Sequence, residues 1–380
     1  MPKLKIGLVL DTSLDPPDGV QQYVIGVGEW LRSQGHDVHY LVGQTEHRKL
    51  PNVHSLARNM TVWFNGNKTT IPLPTSKRKL RKLLHKEKFD ILHVQTPHSP
   101  FMAQPLIRSA EKDTAVIGTF HIAAYNRLVT AGNWLLGWWL YPSLKRFDKM
   151  LSVSTAAQSF AKKTFRINST VIPNVFDYQL YHEAKPFKRY GDDTLTILFF
   201  GRLVARKGCF VLMQAIALLN DRKDIPKFRV IICGKGAEGA KLKKFIDDKD
   251  LADLVEMTGF VDEADKPSYY ASADISVFPS SGGESFGIVL LEAMASGRAA
   301  VLGGDNPGYR SVLAPREELL FDPQDITGLA DKLELYLRDT KLRKDAAAWG
   351  AAYSEQFDVN VVGQKLLAVY EEALRKRRQG

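Results

Sequence analysis

Short apolar runs alternate with amphipathic stretches along most of the chain, and this alternation is the feature that most constrains its fold. In the first half the runs are Lys5–Leu10, Val38–Val42, Ile91–Val94, Ala115–Phe120, Met150–Val153 and Thr170–Ile172. After an irregular polar stretch over 174–193 the pattern restarts, with Leu195–Phe200, Arg229–Cys233, Val255–Thr258, Ile275–Pro279 and Ala299–Leu302. Strands that alternate with helices form parallel sheets covered on both faces, so the sequence predicts two doubly wound α/β domains.

Composition agrees with two globular domains and excludes several other classes. The chain has 380 residues, 44% of them hydrophobic, which suffices for a core in each domain. Cys209 and Cys233 are too few for a disulfide framework and lack the spacing of metal ligands, which favours a reducing cytoplasm. The first apolar run ends at Asp11 and predicts a strand rather than a signal peptide. No apolar stretch reaches the ~18 residues of a membrane span.

Residues 282–297, GGESFGIVLLEAMASG, run from a glycine-rich loop into a short apolar helix and place two carboxylates eight residues apart. Paired glycines let the backbone approach a ligand closely, and the N–H groups that begin the helix attract an anion. A bound diphosphate repels a carboxylate, so we expect Glu284 to accept hydrogen bonds from neutral hydroxyls and Glu292 to reach a second hydroxyl pair. The alternative is an ordinary helix-capping Glu, which needs neither the flanking glycines nor a second carboxylate.

This stretch resembles the retaining glycosyltransferases of family 4, whose signature is two Glu separated by seven residues, as Glu284 and Glu292 are. The longer match is most similar to the bacterial phosphatidylinositol mannosyltransferases. The resemblance implies that Glu284 contacts the transferred sugar and that Glu292 holds the ribose. It also implies that the backbone of Phe286, Gly287 and Ile288 lines the sugar phosphate.

The resemblance covers nearly the whole chain and implies the GT-B architecture, in which two Rossmann-like domains face each other across a cleft. Residues 1–180 would form the domain that faces the acceptor and the membrane, and residues 181–358 the domain that binds the nucleotide sugar. The C-terminal helix, 359–380, would cross back to the N-terminal domain.

A second motif, GRLVARKG at 201–208, follows a predicted strand and places cations on a loop bounded by glycines. Arg can grip a diphosphate through two hydrogen bonds and Lys can bind it as a point charge, whereas a solvent-exposed basic turn is the alternative. The motif resembles the family's diphosphate loop, which implies Arg202 and Lys207 as the ligands that stabilise the leaving group without a metal. The resemblance implies further donor contacts at Gly19, Gly234, Val261 and Lys266.

Two candidate residues of the N-terminal half rest mainly on the resemblance. His121 ends a predicted strand in Thr-Phe-His, as in the family, which implies a hydrogen bond to the transferred sugar; a structural histidine is the alternative. Asn65 lies in a turn that resembles the acceptor-contacting turn of the mannosyltransferases. The aromatic segment Asn133–Tyr141, with its three tryptophans, is expected to pack in the core, with lipid contact as the alternative.

The basic surplus is confined to the first half, where residues 1–180 carry 23 Lys and Arg against 12 Asp and Glu; the remainder carries 29 against 30. Much of it lies in SKRKLRKLLHKEKFD, Ser76–Asp90, which predicts a helix with Ser76 as N-cap and Leu80, Leu83 and Leu84 on one face. Such a helix is favoured as a patch for an anionic membrane; a solvated face or a nucleic-acid patch is the alternative. The candidate membrane residues are Lys77, Arg78, Lys79, Arg81 and Lys82.

Together these features predict a retaining glycosyltransferase that moves a hexose, with mannose from GDP-mannose favoured, to a lipid head group such as phosphatidylinositol. The expected place is the inner face of the cytoplasmic membrane, with peripheral attachment. The partners are a nucleotide sugar, a lipid acceptor and an anionic membrane surface, with no nucleic acid, cofactor or metal. A UDP-glucose-dependent diacylglycerol glucosyltransferase, or another family 4 enzyme, shares the donor motifs. A non-enzymatic protein that binds lipid or nucleic acid explains the charge but not the paired carboxylates.

Overall fold

The computed structural model describes residues 2–15, 18–46, 50–64, 67–122 and 140–379, without the side chains of 61–64 and 67–69. The chain divides into two compact units. The first unit comprises Met1–Val175 together with Val359–Gly380, and the second comprises Phe176–Asp358.

Within the described residues, nine strands belong to the first unit: β1 (Lys5–Leu10), β2 (Asp37–Val42), β3 (Val53–Ser55), β4 (Asn59–Phe64), β5 (Asn67–Pro72), β6 (Ile91–Gln95), β7 (Ala115–Phe120), β8 (Lys149–Ser152) and β9 (Thr170–Val171). Seven of them form a parallel sheet in the order β3-β2-β1-β6-β7-β8-β9, and β4 and β5 form a separate antiparallel hairpin. The order reverses between β1 and β6, which makes that point the expected ligand position of this unit.

The described helices of the first unit are α1 (Gly19–Ser33), α2 (Lys77–Glu87), α3 (Ala103–Arg108), α4 (Thr155–Phe165) and the C-terminal helix (Val359–Gln379); residues 140–144 are also helical. The C-terminal helix packs its apolar stripe, including Leu366, into the core beneath α1. Trp30 donates a hydrogen bond from Nε1 to Asn360 Oδ1 at 3.0 Å. Gly363 lies so close to the Trp30 ring that a Cβ there would overlap it, which is why a glycine occupies the crossing.

The second unit has six parallel strands: β10 (Leu195–Phe200), β11 (Phe228–Cys233), β12 (Val255–Gly259), β13 (Ile275–Phe278), β14 (Ala300–Gly304) and β15 (Leu320–Phe321). Their order is β12-β11-β10-β13-β14-β15, so the reversal lies between β10 and β13. The helices of this unit are α5 (Tyr178–His182), α6 (Cys209–Asn220), α7 (Gly239–Asp248), α8 (Lys266–Ala271), α9 (Ile288–Ala295), α10 (Pro307–Leu313), α11 (Ile326–Arg338) and α12 (Thr340–Ser354).

The predicted apolar runs correspond to the strands of both sheets, whereas the hairpin and the short edge strands β3 and β15 were not predicted. The predicted basic helix is shorter than expected: it ends at Glu87 because Lys88 adopts a left-handed conformation with φ of 50°. Leu80 and Leu84 of this helix are buried against α3, and Leu83 is half-buried. Among the described helices, none combines the length and the apolar character that crossing a membrane requires.

Candidate functional site

The loops after β10 and β13 meet at the point where the strand order of the second unit reverses. The Ser281 N–H donates to the Arg206 carbonyl at 2.9 Å, and Ser280 Oγ lies 3.0 Å from the same carbonyl. Gly208, with φ of +70°, lies so close to Pro279 that a Cβ would overlap the Pro279 carbonyl oxygen. Gly208 of GRLVARKG therefore permits backbone contact between the two motif-bearing loops.

Glu284 is the centre of this meeting point. Its Oε1 accepts hydrogen bonds from Arg206 Nη1 at 2.8 Å, Lys207 Nζ at 2.9 Å and Ser280 Oγ at 2.9 Å. The side chain is 13% exposed. Burial by itself raises the pKa of Glu284, but the charges of Lys207 and Arg206 outweigh burial and hold the pKa below its ordinary value. The carboxylate is therefore ionised at neutral pH and neutralised by two cations.

The structure brings one of the two predicted diphosphate ligands into contact with Glu284 and adds a cation that was not predicted. Lys207 contacts the carboxylate, whereas Arg202 is exposed at the start of the same loop. Arg206 occupies the second position beside Glu284. Its presence in GRLVARKG was visible in the sequence, but the pattern does not reveal which cation faces the neighbouring loop.

Glu292 lies inside the unit, on α9, and is 2% exposed. Its carboxylate accepts hydrogen bonds from Lys266 Nζ at 2.9 Å, the Tyr181 hydroxyl at 2.9 Å and the Tyr270 hydroxyl at 3.1 Å. Burial, reinforced by the Glu292 charge, raises the pKa of both tyrosines well above its ordinary value. Three donors thus hold the second carboxylate of the motif, and the two tyrosines were not predicted. Oε1 accepts two of these hydrogen bonds and Oε2 accepts one.

The backbone between the two carboxylates approaches the same edge of the sheet. Phe286 is buried, and its ring packs against Phe357, so only its backbone is available to a ligand. Gly287 has φ of +132°, a conformation that other residues rarely adopt, and a Cβ there would meet Tyr309. Ile288 then begins α9.

The remaining predicted donor residues of the second unit lie on the adjacent loops. Gly234 has φ of +146°, donates its N–H to the Gly259 carbonyl at 2.8 Å and leaves no room for a Cβ beside Gly201. Val261 is half-buried in the loop after β12. Lys266 is 5% exposed and also contacts Glu263 Oε2 at 2.8 Å. The loops after β10, β11 and β12 therefore lie side by side at one edge.

His121 lies at the carboxyl end of β7 in the first unit. Its Nε2 contacts Gln95 Oε1 at 2.7 Å, and the Tyr23 ring packs edge-on at 4.9 Å between centroids. Burial, with a smaller effect of His98, lowers the pKa of His121 to about 3, so the ring is neutral. Because the Gln95 amide nitrogen donates to the His93 carbonyl, its oxygen faces His121, and the histidine proton lies on Nε2. Nδ1 is then a hydrogen-bond acceptor.

Of the other candidate residues of the first unit, the structure describes Gly19 and not Asn65. Gly19 is exposed at the start of α1, with nothing within 4 Å of an added Cβ. Asn65 and all three tryptophans of Asn133–Tyr141 lie outside the described residues. The base of the β4–β5 hairpin is held at the loop after β1, where Thr12 Oγ1 donates to the Thr70 carbonyl at 3.1 Å.

The cationic face of α2 is open to solvent. The five predicted membrane residues are all exposed, and within the described part of the chain none forms an ion pair with a carboxylate: Lys77, Arg78, Lys79, Arg81 and Lys82. The helix's own acid, Glu87, is instead engaged by Lys5 Nζ at 2.9 Å and by Lys86 Nζ at 3.5 Å. The positive charge is therefore not neutralised by neighbouring acids. Among the described residues, no three His, Cys, Asp or Glu side chains are grouped to hold a metal ion.

Comparison with known proteins gives family matches over both halves. Residues 17–180 match a family model described as Glycosyltransferase Family 4, and residues 182–351 match one described as Glycosyl transferases group 1. A phosphatidyl-myo-inositol mannosyltransferase of Mycolicibacterium smegmatis is 32% identical, and the match covers 97% of this chain and 94% of that protein. Its namesake from Mycobacterium tuberculosis is also 32% identical, with 97% of each covered.

Solved structures resemble the whole chain. A glycosyltransferase from Rickettsia africae has a TM-score of 0.78 at 18% identity, with 98% of this chain and 99% of that chain covered. Sucrose-phosphate synthase from Thermosynechococcus elongatus has a TM-score of 0.77 at 19% identity, with 98% and 100% covered. These neighbours confirm the predicted fold class, α/β of the GT-B type with two Rossmann-like domains.

Proposed function

The chain belongs to glycosyltransferase family 4, among the relatives of the phosphatidyl-myo-inositol mannosyltransferases, and from this premise we propose that it transfers mannose from GDP-mannose to a phosphatidylinositol-type head group. The proposed reaction retains the configuration of the sugar and takes place at the inner face of the cytoplasmic membrane. That the protein is a glycosyltransferase follows from the family itself.

One observation carries the proposal: Glu284 is held beside Lys207 and Arg206 at the strand reversal of the second unit. Open α/β sheets bind ligands at this point. The cluster combines positive charge for a diphosphate with a carboxylate oxygen for sugar hydroxyls. A protein that only binds nucleic acid or lipid has no use for an ionised carboxylate between these cations.

In the proposed reaction the bond between the anomeric carbon and the diphosphate oxygen breaks while the acceptor hydroxyl attacks from the same face. The proton of that hydroxyl passes to the departing phosphate oxygen. Arg202 and Lys207 bind the diphosphate, whose negative charge increases as the bond breaks, so their contribution is larger in the transition state than in the ground state. Glu284 contacts the transferred sugar in this reaction, and no side chain forms a covalent bond with the sugar.

The first unit supplies groups suited to neutral hydroxyls and to a membrane. Neutral His121, with Nδ1 as acceptor, fits a sugar hydroxyl rather than an anion. The five exposed cations of α2 fit an anionic surface, where each Lys or Arg contributes about 1 kcal/mol of attraction.

A donor-by-acceptor assay with the full chain tests the proposal. GDP-mannose and UDP-glucose are each offered with vesicles that contain phosphatidylinositol or diacylglycerol, and the products are identified by mass and by the anomeric configuration of the linkage. We expect an α-linked mannosyl product only from GDP-mannose and phosphatidylinositol. Transfer from UDP-glucose to diacylglycerol, or an inverted linkage, would contradict the proposal. Vesicles without acceptor, monitored for hydrolysis of each donor, are the control.

A further inference from the structure

Gln95 is a buried amide beside His121 to which the proposed reaction assigns no role. It is the last residue of β6, which pairs in parallel with β1 and β7, so it lies beside the point where the strand order of the first unit reverses. Its side chain is 0% exposed, and its Oε1 lies 2.7 Å from His121 Nε2. Because Gln95 is fully enclosed, it can affect a ligand only through a neighbour such as His121.

The contacts of Gln95 decide which end of its amide faces His121. Its Nε2 donates to the His93 carbonyl at 3.4 Å, so Oε1 is the atom that faces His121. A carbonyl oxygen only accepts hydrogen bonds, so the proton of the neutral ring lies on Nε2 and Nδ1 is left as an acceptor. The His93 ring is engaged elsewhere, with Thr119 Oγ1 at 2.6 Å and with the Tyr370 hydroxyl at 2.8 Å.

The groups packed around His121 are uncharged at neutral pH. The titratable side chains that face it are Tyr23 on α1, His93 on β6 and His98 in the loop after β6. Burial raises the pKa of Tyr23, and it lowers the pKa of His93 to about 3 and that of His98 to about 4. The amide of Gln95 is uncharged as well, so it binds the ring without favouring the imidazolium, as a carboxylate in its place would.

We propose that Gln95 is a positioning residue for the transfer reaction: its amide oxygen holds the proton of His121 on Nε2, so that Nδ1 accepts a hydrogen bond from a hydroxyl of the transferred sugar. The inference rests on the proposed function for the contact between His121 and the sugar. A ring with its proton on Nδ1, or an imidazolium, has no acceptor at that atom. Gln95 therefore acts on the sugar through the tautomer and the charge of the ring.

The variant Gln95→Glu, which keeps the shape of the side chain, tests this role through pH. A carboxylate beside His121 Nε2 favours the imidazolium and raises the pKa of the ring. As the pH falls, Nδ1 takes up a proton and no longer accepts from the sugar. We expect transfer by the variant to fall about tenfold relative to the wild type between pH 8 and pH 5, the loss of one hydrogen bond. GDP affinity should not change, because the nucleotide motifs belong to the second unit.

The ring nitrogens report the same change without any substrate. In protein labelled with 15N-histidine, Nδ1 of His121 should be unprotonated in the wild type at both pH values and protonated in Gln95→Glu at the lower one. A matched control is Gln158→Glu on α4, which replaces another hydrogen-bonded amide of the first unit, one whose Nε2 donates to the Ser169 carbonyl at 2.6 Å. Its pH profile of transfer should be that of the wild type.

A second variant, Gln95→Leu, removes the acceptor without adding a charge. We expect kcat to fall about tenfold with little change in KM for the donor. In a His121→Ala background the same change should have no further effect, because Gln95 acts through the ring. A purely structural role of Gln95 would instead add its own loss to that of His121→Ala. If Gln95→Leu does not fold, the pH profile and the nitrogen spectra of Gln95→Glu decide the question.

The proposal is overturned by a wild-type pH profile in Gln95→Glu or by additive losses in the double variant. A wild type that carries the His121 proton on Nδ1 also overturns it and leaves the proposed function standing. His121→Ala with wild-type transfer removes the histidine from the reaction and this inference with it. Transfer is measured with whichever donor and acceptor the wild type uses, so a failure of GDP-mannose overturns the donor proposal alone.

Discussion

The two units present the same kind of sheet edge but fill it with different chemistry. In the first unit the buried histidines are neutral: His121 contacts Gln95, and His93 contacts Thr119 Oγ1 at 2.6 Å and the Tyr370 hydroxyl at 2.8 Å. In the second unit ion pairs form around Glu284 and Glu292. Neutral hydrogen-bond acceptors suit hydroxyl groups. Cations that are paired with a carboxylate suit a bound anion, because the anion can take the place of the carboxylate. Under the proposed function, one architecture thereby serves two ligand classes through a few side chains.

The largest effect is expected from Glu284→Gln. Transfer should fall about thousandfold, because the sugar loses a contact made in the transition state. Binding of GDP should persist and become tighter, because Lys207 no longer has to leave a carboxylate before it binds the diphosphate. Rates of transfer and calorimetric GDP affinity are the measurements, with exposed Glu355→Gln as the control. Turnover like that of the wild type would remove Glu284 from the reaction.

Replacement of Arg202 or Lys207 by Ala should lower kcat/KM by about a hundredfold, about 3 kcal/mol, through weaker donor binding and slower transfer together. Both changes remove positive charge from the second unit only, so the affinity for acceptor vesicles should not change. Steady-state kinetics, with the donor and the acceptor concentrations varied separately, distinguish an effect on the donor from an effect on the acceptor. Activity equal to the wild type in both variants would place the diphosphate elsewhere.

Loss of positive charge on α2 should weaken binding to vesicles and leave donor binding unchanged, the reverse of the effect expected for Arg202 and Lys207. Changing Lys77, Lys79 and Lys82 to Gln should reduce binding to anionic vesicles by up to about a hundredfold at low salt, because each charge contributes about 1 kcal/mol. The deficit should shrink at higher salt, where the wild type is screened, and donor affinity should not change.

The matched control for this helix is a triple change of exposed lysines on and just after α7, Lys243, Lys244 and Lys249 to Gln. Vesicle cosedimentation and oligonucleotide binding are measured on both triple variants. Unchanged vesicle binding in the α2 variant would reject the membrane surface. Weaker oligonucleotide binding with normal transfer would favour a nucleic-acid role instead.

The smallest effect concerns acid stability. Burial lowers the pKa of His93 and His121 to about 3 and that of His98 to about 4. The unfolded chain therefore binds more protons than the folded one as pH falls below about 6.5. Each of these histidines then lowers the free energy of unfolding by up to about 1.4 kcal/mol per pH unit. Burial raises the pKa of Asp11 to about 7, so the folded chain binds this proton before the unfolded chain does. Asp11 therefore offsets the destabilising effect of one histidine. In the second unit the pKa of Glu284 is lowered, so its contribution to the free energy of unfolding is lost only when the pH falls to the ordinary carboxyl range and below.

Hydrogen exchange at pH 7 and pH 5 tests this difference, after correction for the intrinsic exchange rates. Between these values the free energy of opening should fall for β7 in the first unit and change little for β10 in the second. In His98→Phe, which replaces a ring stacked among aromatic side chains, the fall should be smaller by about 1 kcal/mol per pH unit. Equal acid sensitivity in β7 and β10 would contradict the contrast.

Regular, strongly patterned features were predictable from the sequence. The apolar runs became the strands of both sheets because a strand buried on both faces must be apolar along its length. The edge strand β3 and the hairpin were missed because short or exposed strands carry no such signal. The end of α2 was wrong by three residues because a left-handed Lys88 stops the helix where the sequence has no glycine.

What the sequence determined by itself is the kind of chemistry at the candidate site of the second unit: two carboxylates, a cationic loop and the glycines that allow their backbones to approach. What only the tertiary structure decided is which groups meet. It pairs Arg206 and Lys207 with Glu284, closes Tyr181, Tyr270 and Lys266 around Glu292, and places the proton of His121 on Nε2. Spacing along a chain fixes which side chains are near one another in one element. Contacts between loops that follow different strands depend on the strand order, which folding alone establishes.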